Sequence, residues 1–310
     1  MYPTRPGRLH LTVAAGMLIV LLTVQQWLFQ IPGSGRVAAA VPDALHGSWF
    51  ACVTWAMLIL VGRWTRRGTT LATTALFGFG LAVGSEFLQK LTGGDAEVGD
   101  VFFDMLGMSA TLCIWSAREK LIAPRFGVAM ATVLMLATLW PIVPPLLIDR
   151  YRDSIAPELV RFDSAYAWDL IRSSSVTDIV PAPNGWSIAG PVLKITLAGE
   201  TWPGVHLNDP IAQWQRYSEL DVDVFVEGET PIPITISVRL DNAPVDHVSR
   251  AFDCLPGPCR LAVPLADLFD RDVARVNAVV IHSRRAYAGR VLYLGRVTLR
   301  KQAGQIDSAR

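Results

Sequence analysis

The sequence predicts an α-helical transmembrane bundle of about five helices followed by an all-β jelly-roll sandwich. Three observations carry this reading. Of 310 residues, 51% are hydrophobic, and they crowd into the first half of the chain. Five apolar runs there reach or approach the ~20 residues that a bilayer crossing requires. After Asp149 no comparable run occurs, and from Trp186 onward short alternating runs are broken by Pro, Gly, Asn and Asp.

The apolar runs are Leu9–Phe29, Leu45–Val61, Leu71–Leu88, Val101–Ala117 and Phe126–Ile148. The resulting divisions are residues 1–40 for the first helix, 41–120 for the next three and 121–148 for the fifth. A linker is expected over 149–185, the sandwich over 186–301 and a tail over 302–310. Basic Arg5 and Arg8 precede the first run and small residues follow it, as in a signal peptide. Its apolar core is longer than a signal peptide's, and further membrane segments follow, so it reads as a retained helix.

Loop charges orient the bundle. Arg5 and Arg8, then Arg63, Arg66 and Arg67, then Arg118, Lys120 and Arg125 fall on one side; the other carries only Arg36 and Lys90, with Asp43, Asp95 and Glu97. The positive-inside rule puts the N-terminus in the cytoplasm and, after five crossings, everything beyond Asp149 outside. The expected location is a bacterial inner membrane, with the C-terminal domain periplasmic or extracellular. Cys254 and Cys259 frame the loop CLPGPC in that exported half, where a disulfide between them would persist. Cys52 and Cys113 lie inside apolar runs and read as small hydrophobes.

Polar residues gather at the outer ends of three of these helices. Asp43 and His46 share a helical face, as do Glu86 and Gln89, and Asp100 and Asp104. Charge in such places is costly and marks a functional candidate. Asp43 and Asp100 also suit helix N-caps, and Lys90 and Glu97 suit the headgroup region. Glu86 and Asp104 lie about one turn inside the apolar boundary, where an isolated carboxylate needs a proton or a partner. His46, Lys90 and Gln89 are the nearest candidates. Gly78, Gly80, Gly84, Gly107 and Ala110 offer close helix packing. No Cys/His cluster has zinc-ligand spacing, so no metal is expected; no phosphate-binding or dinucleotide fingerprint occurs, so no cofactor is expected.

The order Asp43-x-x-His46, Glu86-Phe-Leu-Gln89, then Asp100 with Asp104 and Gly107 resembles the VanZ-like membrane family over about residues 41–115. The family pattern runs D-x-x-x-H or D-x-x-H, then E-x-x-Q, then R…D-x-x-x-N-x-x-G. Asp104 stands where relatives have Asn, and Gly94 where they have Arg. A headgroup contact made by that Arg in relatives would be lost or relocated here. The resemblance implies a four-helix integral membrane module, linked in one member to glycopeptide resistance, without a settled catalytic mechanism.

The exported half opens with Leu170-Ile171 and a Ser173–Ser175 run, read as a linker with a short helix or strand. Expected strands are Trp186–Ile188, Leu193–Leu197, Gly204–Leu207, Ser218–Val226, Ile234–Leu240, Cys259–Val263, Ala278–His282 and Arg290–Arg300. Leu220, Val222, Val224 and Val226 alternate with Asp221, Asp223 and Phe225, the signature of a half-buried strand. Short strands with regular turn signals argue for a sandwich. From Asp149 onward 18 Lys+Arg oppose 20 Asp+Glu, which gives no case for nucleic acid. The layout resembles galactose-binding-like jelly rolls, the fold of many carbohydrate-binding modules. The features that carry this are Pro203–Leu207, Trp214–Tyr217, the strand from Leu220, Arg239–Asp241 and the closing Gly289–Leu299. Trp202, His206, Asn208, Trp214 and Tyr217 are its ligand-binding candidates, supplying ring faces beside hydrogen-bonding groups; aromatic residues on strands are also ordinary packing.

Three functions remain open. One is a membrane protein of the envelope that binds glycan or lipid-linked glycan through the sandwich and the polar cluster. The second is a membrane-embedded enzyme on a lipid-linked or phospholipid substrate, with Glu86, Asp104 and His46 as acid/base groups, though no nucleophile motif is present. The third is a structural anchor for an envelope assembly.

Overall fold

The computed structural model of the chain describes residues 36–91, 97–208, 210, 214–240, 247–266 and 276–301, together with Gly16. The chain forms two compact units, Met1–Leu146 and Leu147–Arg310. The first expected helix, Leu9–Phe29, lies outside the described residues, as do Gly94 and the tail.

The first unit is helical: α1 (Arg36–Val61), α2 (Arg67–Leu91), α3 (Val98–Arg118) and α4 (Pro124–Ala137). A single 3₁₀ turn, Trp140–Ile142, leads into α5 (Val143–Ile155). Four segments are long and apolar enough to cross a membrane: the first three helices and the stretch Pro124–Ile155. The last was expected as one uninterrupted helix. It breaks after Ala137 because Pro141, Pro144 and Pro145 lack the backbone N–H that a continuous helix would use. α1 begins upstream of its apolar run, so Pro42 and Asp43 lie within the helix and Asp43 is not its cap. Asp100 is likewise inside α3, whose cap position is Glu97.

Helix α3 packs against α1, α2 and α4. The buried residues of α2 are Thr70, Thr74, Gly78, Ala82 and Glu86, a single i, i+4 row of small side chains ending in a carboxylate. Asp100, Asp104, Gly107 and Thr111 form the matching row on α3. These rows face protein while large apolar residues such as Phe77, Phe87 and Phe102 face outward, the arrangement expected where lipid replaces water. Thr111 Oγ1 donates to the Ala51 carbonyl at 3.0 Å, tying α3 to α1.

The second unit is a sandwich of two antiparallel sheets. One has the order β3 (Val176–Pro181), β4 (Pro191–Thr196), β11 (Val291–Arg300), β6 (Glu219–Val226), β9 (Gly257–Pro264), with β1 (Glu158–Val160) also on β11. The other runs β2 (Ile171–Ser173), β5 (Gly204–Asn208), β10 (Val276–His282), β7 (Ile232–Leu240), β8 (His247–Cys254). A one-turn helix α6 (Ala167–Leu170) precedes β2. Val222, Val224, Ile234, Ile236, Val279, Ile281, Leu292 and Leu294 fill the space between the sheets, the inward half of each alternation.

Several expectations change. The stretch read as linker supplies β1, β2 and β3, each paired into a sheet. Strand β8 was not anticipated. Trp186–Ile188 is no strand: its Trp186 ring packs at 5.7 Å from Phe225 and lies over Gly295, where any side chain would strike it. Cys254 and Cys259 are free thiols, not a disulfide. Gly257 and Pro258 begin β9, in the opposite sheet from β8, so only Leu255 and Pro256 link the two strands. Burial beside the Cys259 side chain holds the Cys254 thiol well above its ordinary range, so it stays protonated.

A methyl group on Gly107 would collide with the Gly47 backbone carbonyl. Backbone cannot rotate away, and overpacking of this kind costs about 1–3 kcal/mol or more. Gly107→Ala is therefore expected to lower the thermal midpoint of the detergent-solubilised protein, followed by helical circular dichroism. An unchanged midpoint would mean that α1 and α3 do not cross there.

Candidate functional site

In the helical unit, the i, i+4 rows carry their polar members to one level. Asp104 is 0% exposed and His46, Glu86 and Asp100 are also buried. His46 Nδ1 donates to Asp104 Oδ1 at 3.2 Å, and His46 Nε2 lies 3.9 Å from Asp100 Oδ2. Glu86 Oε2 accepts the Glu97 backbone N–H at 3.1 Å. With its amide nitrogen turned inward, Gln89 donates to both Glu86 oxygens at 3.1 and 3.2 Å. Three helices thus bring one imidazole among three carboxylates. Asp43 is half-buried one turn before His46, and Lys90, expected as a partner, is exposed. The partner of Asp104 is His46, because both lie on the faces that α1 and α3 turn to each other.

In the sandwich, the outer face of the five-stranded sheet is open. Cross-strand pairing aligns Arg172, His206, Val280, Ser237 and Ser249 in one row, and Asn208, Ala278 and Arg239 in the next. A cavity of about 390 Å³ lies here, walled by Arg172, His206, Asn208, Arg239 and Asn277 and floored by Ala278. The irregular register between Val276 and Ala278 is the kind of bulge that adds a side chain to one face, and Asn277 gains exposure there. Ser173 and Ser174 knit β2 to the neighbouring corner: Ser174 Oγ donates to the Trp202 carbonyl at 3.2 Å and accepts the Gly204 N–H at 3.1 Å. On that corner Trp202 is 58% exposed, edge-on to His282 with ring centroids 5.2 Å apart.

Of the five ligand-binding candidates, His206 and Asn208 line the cavity and Trp202 stands beside it. Trp214 is 2% exposed and belongs to the core, and Tyr217 packs against the same core. Their aromatic surface is spent on packing, so neither reaches a ligand. Arg172, Arg239 and Asn277 were missed as ligand-binding candidates; Arg239 entered the sequence reading only as part of the Arg239–Asp241 feature of the jelly-roll resemblance. His206 is held below the ordinary histidine range by burial, then by Arg239, His282 and Arg172. It is therefore neutral near pH 7 and offers both a donor and an acceptor.

No protein-family model and no curated protein matches this chain. Among solved structures, the sandwich is similar to the family 11 carbohydrate-binding module of Clostridium thermocellum, in complex with a β-1,3-1,4-mixed-linked tetrasaccharide. Identity is 13%, covering 43% of this chain and 89% of that one, with a TM-score of 0.34. An exo-β-agarase matches at 13% identity, 48% and 26% coverage and a TM-score of 0.38. The CBM22-1–GH10 modules of C. thermocellum xylanase 10B, complexed with xylohexaose, match at 12%, 47% and 27%, and 0.35. This chain spans about a quarter of those two larger proteins. Likeness at this level carries no argument about a ligand.

The buried pair predicts a non-additive response. Removing one partner leaves the other buried without its counterpart, at a cost of about 3–5 kcal/mol, whereas replacing both with apolar groups costs far less. His46→Phe and Asp104→Leu are each expected to destabilise the solubilised protein more than the double variant does. Additive effects in a denaturation cycle would mean that the two side chains are not coupled.

The His206 environment sets a pH dependence. Because its folded pKa is depressed below 6.5, the unfolded chain takes up a proton first as pH falls. The sandwich is expected to keep its full stability above pH 6.5 and to lose it progressively below, down to the folded pKa. His206→Gln should flatten that part of a thermal-midpoint profile; an unaltered slope would assign the loss to another group.

Proposed function

We propose that this chain is a VanZ-like integral protein of the bacterial inner membrane whose exported sandwich binds envelope glycan, free or carried on a lipid. In this reading the N-terminus is cytoplasmic and the outer polar cluster of the helices faces the same compartment as the sandwich. The observation that carries the glycan reading is the open face of the five-stranded sheet. The small Ala278, Ser173 and Ser174 leave a recess there, while Arg172, His206, Asn208, Arg239 and Asn277 ring it with donors and acceptors. Trp202 adds an exposed ring at the edge. Sugars present apolar C–H faces beside hydroxyl groups, and a few placed polar groups beside an aromatic plane is the chemistry that recognises them. The VanZ-like part is supported by the order of Asp43, His46, Glu86, Gln89, Asp100, Asp104 and Gly107, several of which meet in one cluster.

The test is a glycan array probed with the full-length solubilised protein. A defined subset of envelope-type glycans is expected to bind, and Arg172→Ala and Trp202→Ala should each weaken that binding about tenfold, for roughly 1.4 kcal/mol. Trp214→Phe should leave it in place if the fold survives. Absence of glycan binding, or variants that bind like the wild type, would remove the sandwich from this role.

A further inference from the structure

We infer that the helical unit holds a divalent metal ion, ligated by His46, Glu86 and Asp100. One donor atom from each of the three residues lies within 4.8 Å of the other two, and all three side chains are buried. Each comes from a different helix, α1, α2 and α3. No local spacing motif links them, which is why no metal was expected from the spacing of Cys and His residues.

Charge makes the case. Glu86, Asp100 and Asp104 are three buried carboxylates around one imidazole. Groups of this kind stay charged in an apolar interior only when paired or bound to a metal. A single histidine leaves the cluster with an excess of negative charge that a divalent ion cancels.

Asp104 supplies a second, separate observation. Its side chain has no exposed surface and points at the His46 ring, and its other oxygen, Oδ2, has no hydrogen-bond partner among the described residues. A carboxylate on Nδ1 turns the opposite nitrogen, Nε2, toward Asp100. That is the histidine–carboxylate arrangement that orients a metal-binding imidazole and raises its basicity. Asp104 is thus a positioning residue and His46, Glu86 and Asp100 are the ligands.

One nitrogen and two carboxylate oxygens suit zinc, manganese or ferrous iron better than magnesium or calcium, which favour all-oxygen sites. Three protein ligands leave at least one coordination position open, as in metal sites that bind water or a ligand rather than in closed structural ones.

The experiment uses the full-length protein in detergent, stripped with a chelator and titrated with Co²⁺, then with Zn²⁺. One Co²⁺ per chain should bind, with visible d–d bands that Zn²⁺ abolishes. X-ray absorption of the zinc form should show one imidazole among oxygen neighbours and no sulfur. His46→Ala, Glu86→Gln and Asp100→Asn should each abolish the bands, and Asp104→Asn should keep them while weakening affinity about 10–100-fold. Should any ligand variant fail to fold, the stoichiometry and absorption spectrum of the wild type decide the matter alone. Folded wild-type protein that binds no Co²⁺ stoichiometrically, or a folded His46→Ala variant that binds it as tightly, would overturn the assignment.

Discussion

The helical unit depends on how the charge of Asp104 is tolerated. A carboxylate without solvent contact, in a segment apolar enough to cross a bilayer, must find a counterpart within hydrogen-bonding reach or lose its charge. His46 is that counterpart at 3.2 Å, and the contact requires α1 and α3 to approach closely. Gly107 permits this, because a side chain on it would strike the Gly47 backbone, while Gly47 lies against the Thr138 side chain and the Phe103 carbonyl. Glycine pairing and charge pairing are therefore one design. Without the close approach the imidazole could not reach Asp104, and without the pair the buried carboxylate would favour separation of the helices.

The sandwich depends on a different constraint, the placement of the last strand. β11 pairs with β4 and β6, and also receives β1 from the start of the unit. A central strand contributed by the end of the chain makes the sheet complete only when nearly the whole unit has been brought together, which favours cooperative folding over local assembly. Outside the core, Asp221 on β6 is buried between Arg260 on β9 and Arg300 on β11, so charge pairing also ties β6 to both of its neighbours. Gly295 lies where the register of β11 against β6 shifts, and its lack of a side chain leaves room for the Trp186 ring to lie on the sheet.

What could be read in the sequence follows from how local the physics is. Helix positions and the β6, β7 and β11 strands were legible because apolar length and strict alternation are properties of consecutive residues. Short β1 and β2 were not, since Glu158–Val160 and Ile171–Ser173 carry too few residues for any period and become strands only by pairing with partners already in the sheet. The polar cluster was legible as a list, because Asp43, His46, Glu86, Gln89, Asp100 and Asp104 are costly residues in apolar runs. Its internal wiring was not: the sequence cannot say that His46 meets Asp104 while Lys90 turns outward, because that is decided by helix rotation. Trp214 and Trp202 look alike as letters, and only packing separates the core residue from the exposed one.

The composition of the helical cluster also bears on what it can recognise. Three carboxylates around one imidazole repel an anion, so a phosphate-bearing lipid would find no welcome from the side chains alone. A divalent ion held by His46, Glu86 and Asp100 inverts that logic, since a bound cation becomes the largest local charge in its site. With an open coordination position it would accept an anionic oxygen that the bare carboxylates reject.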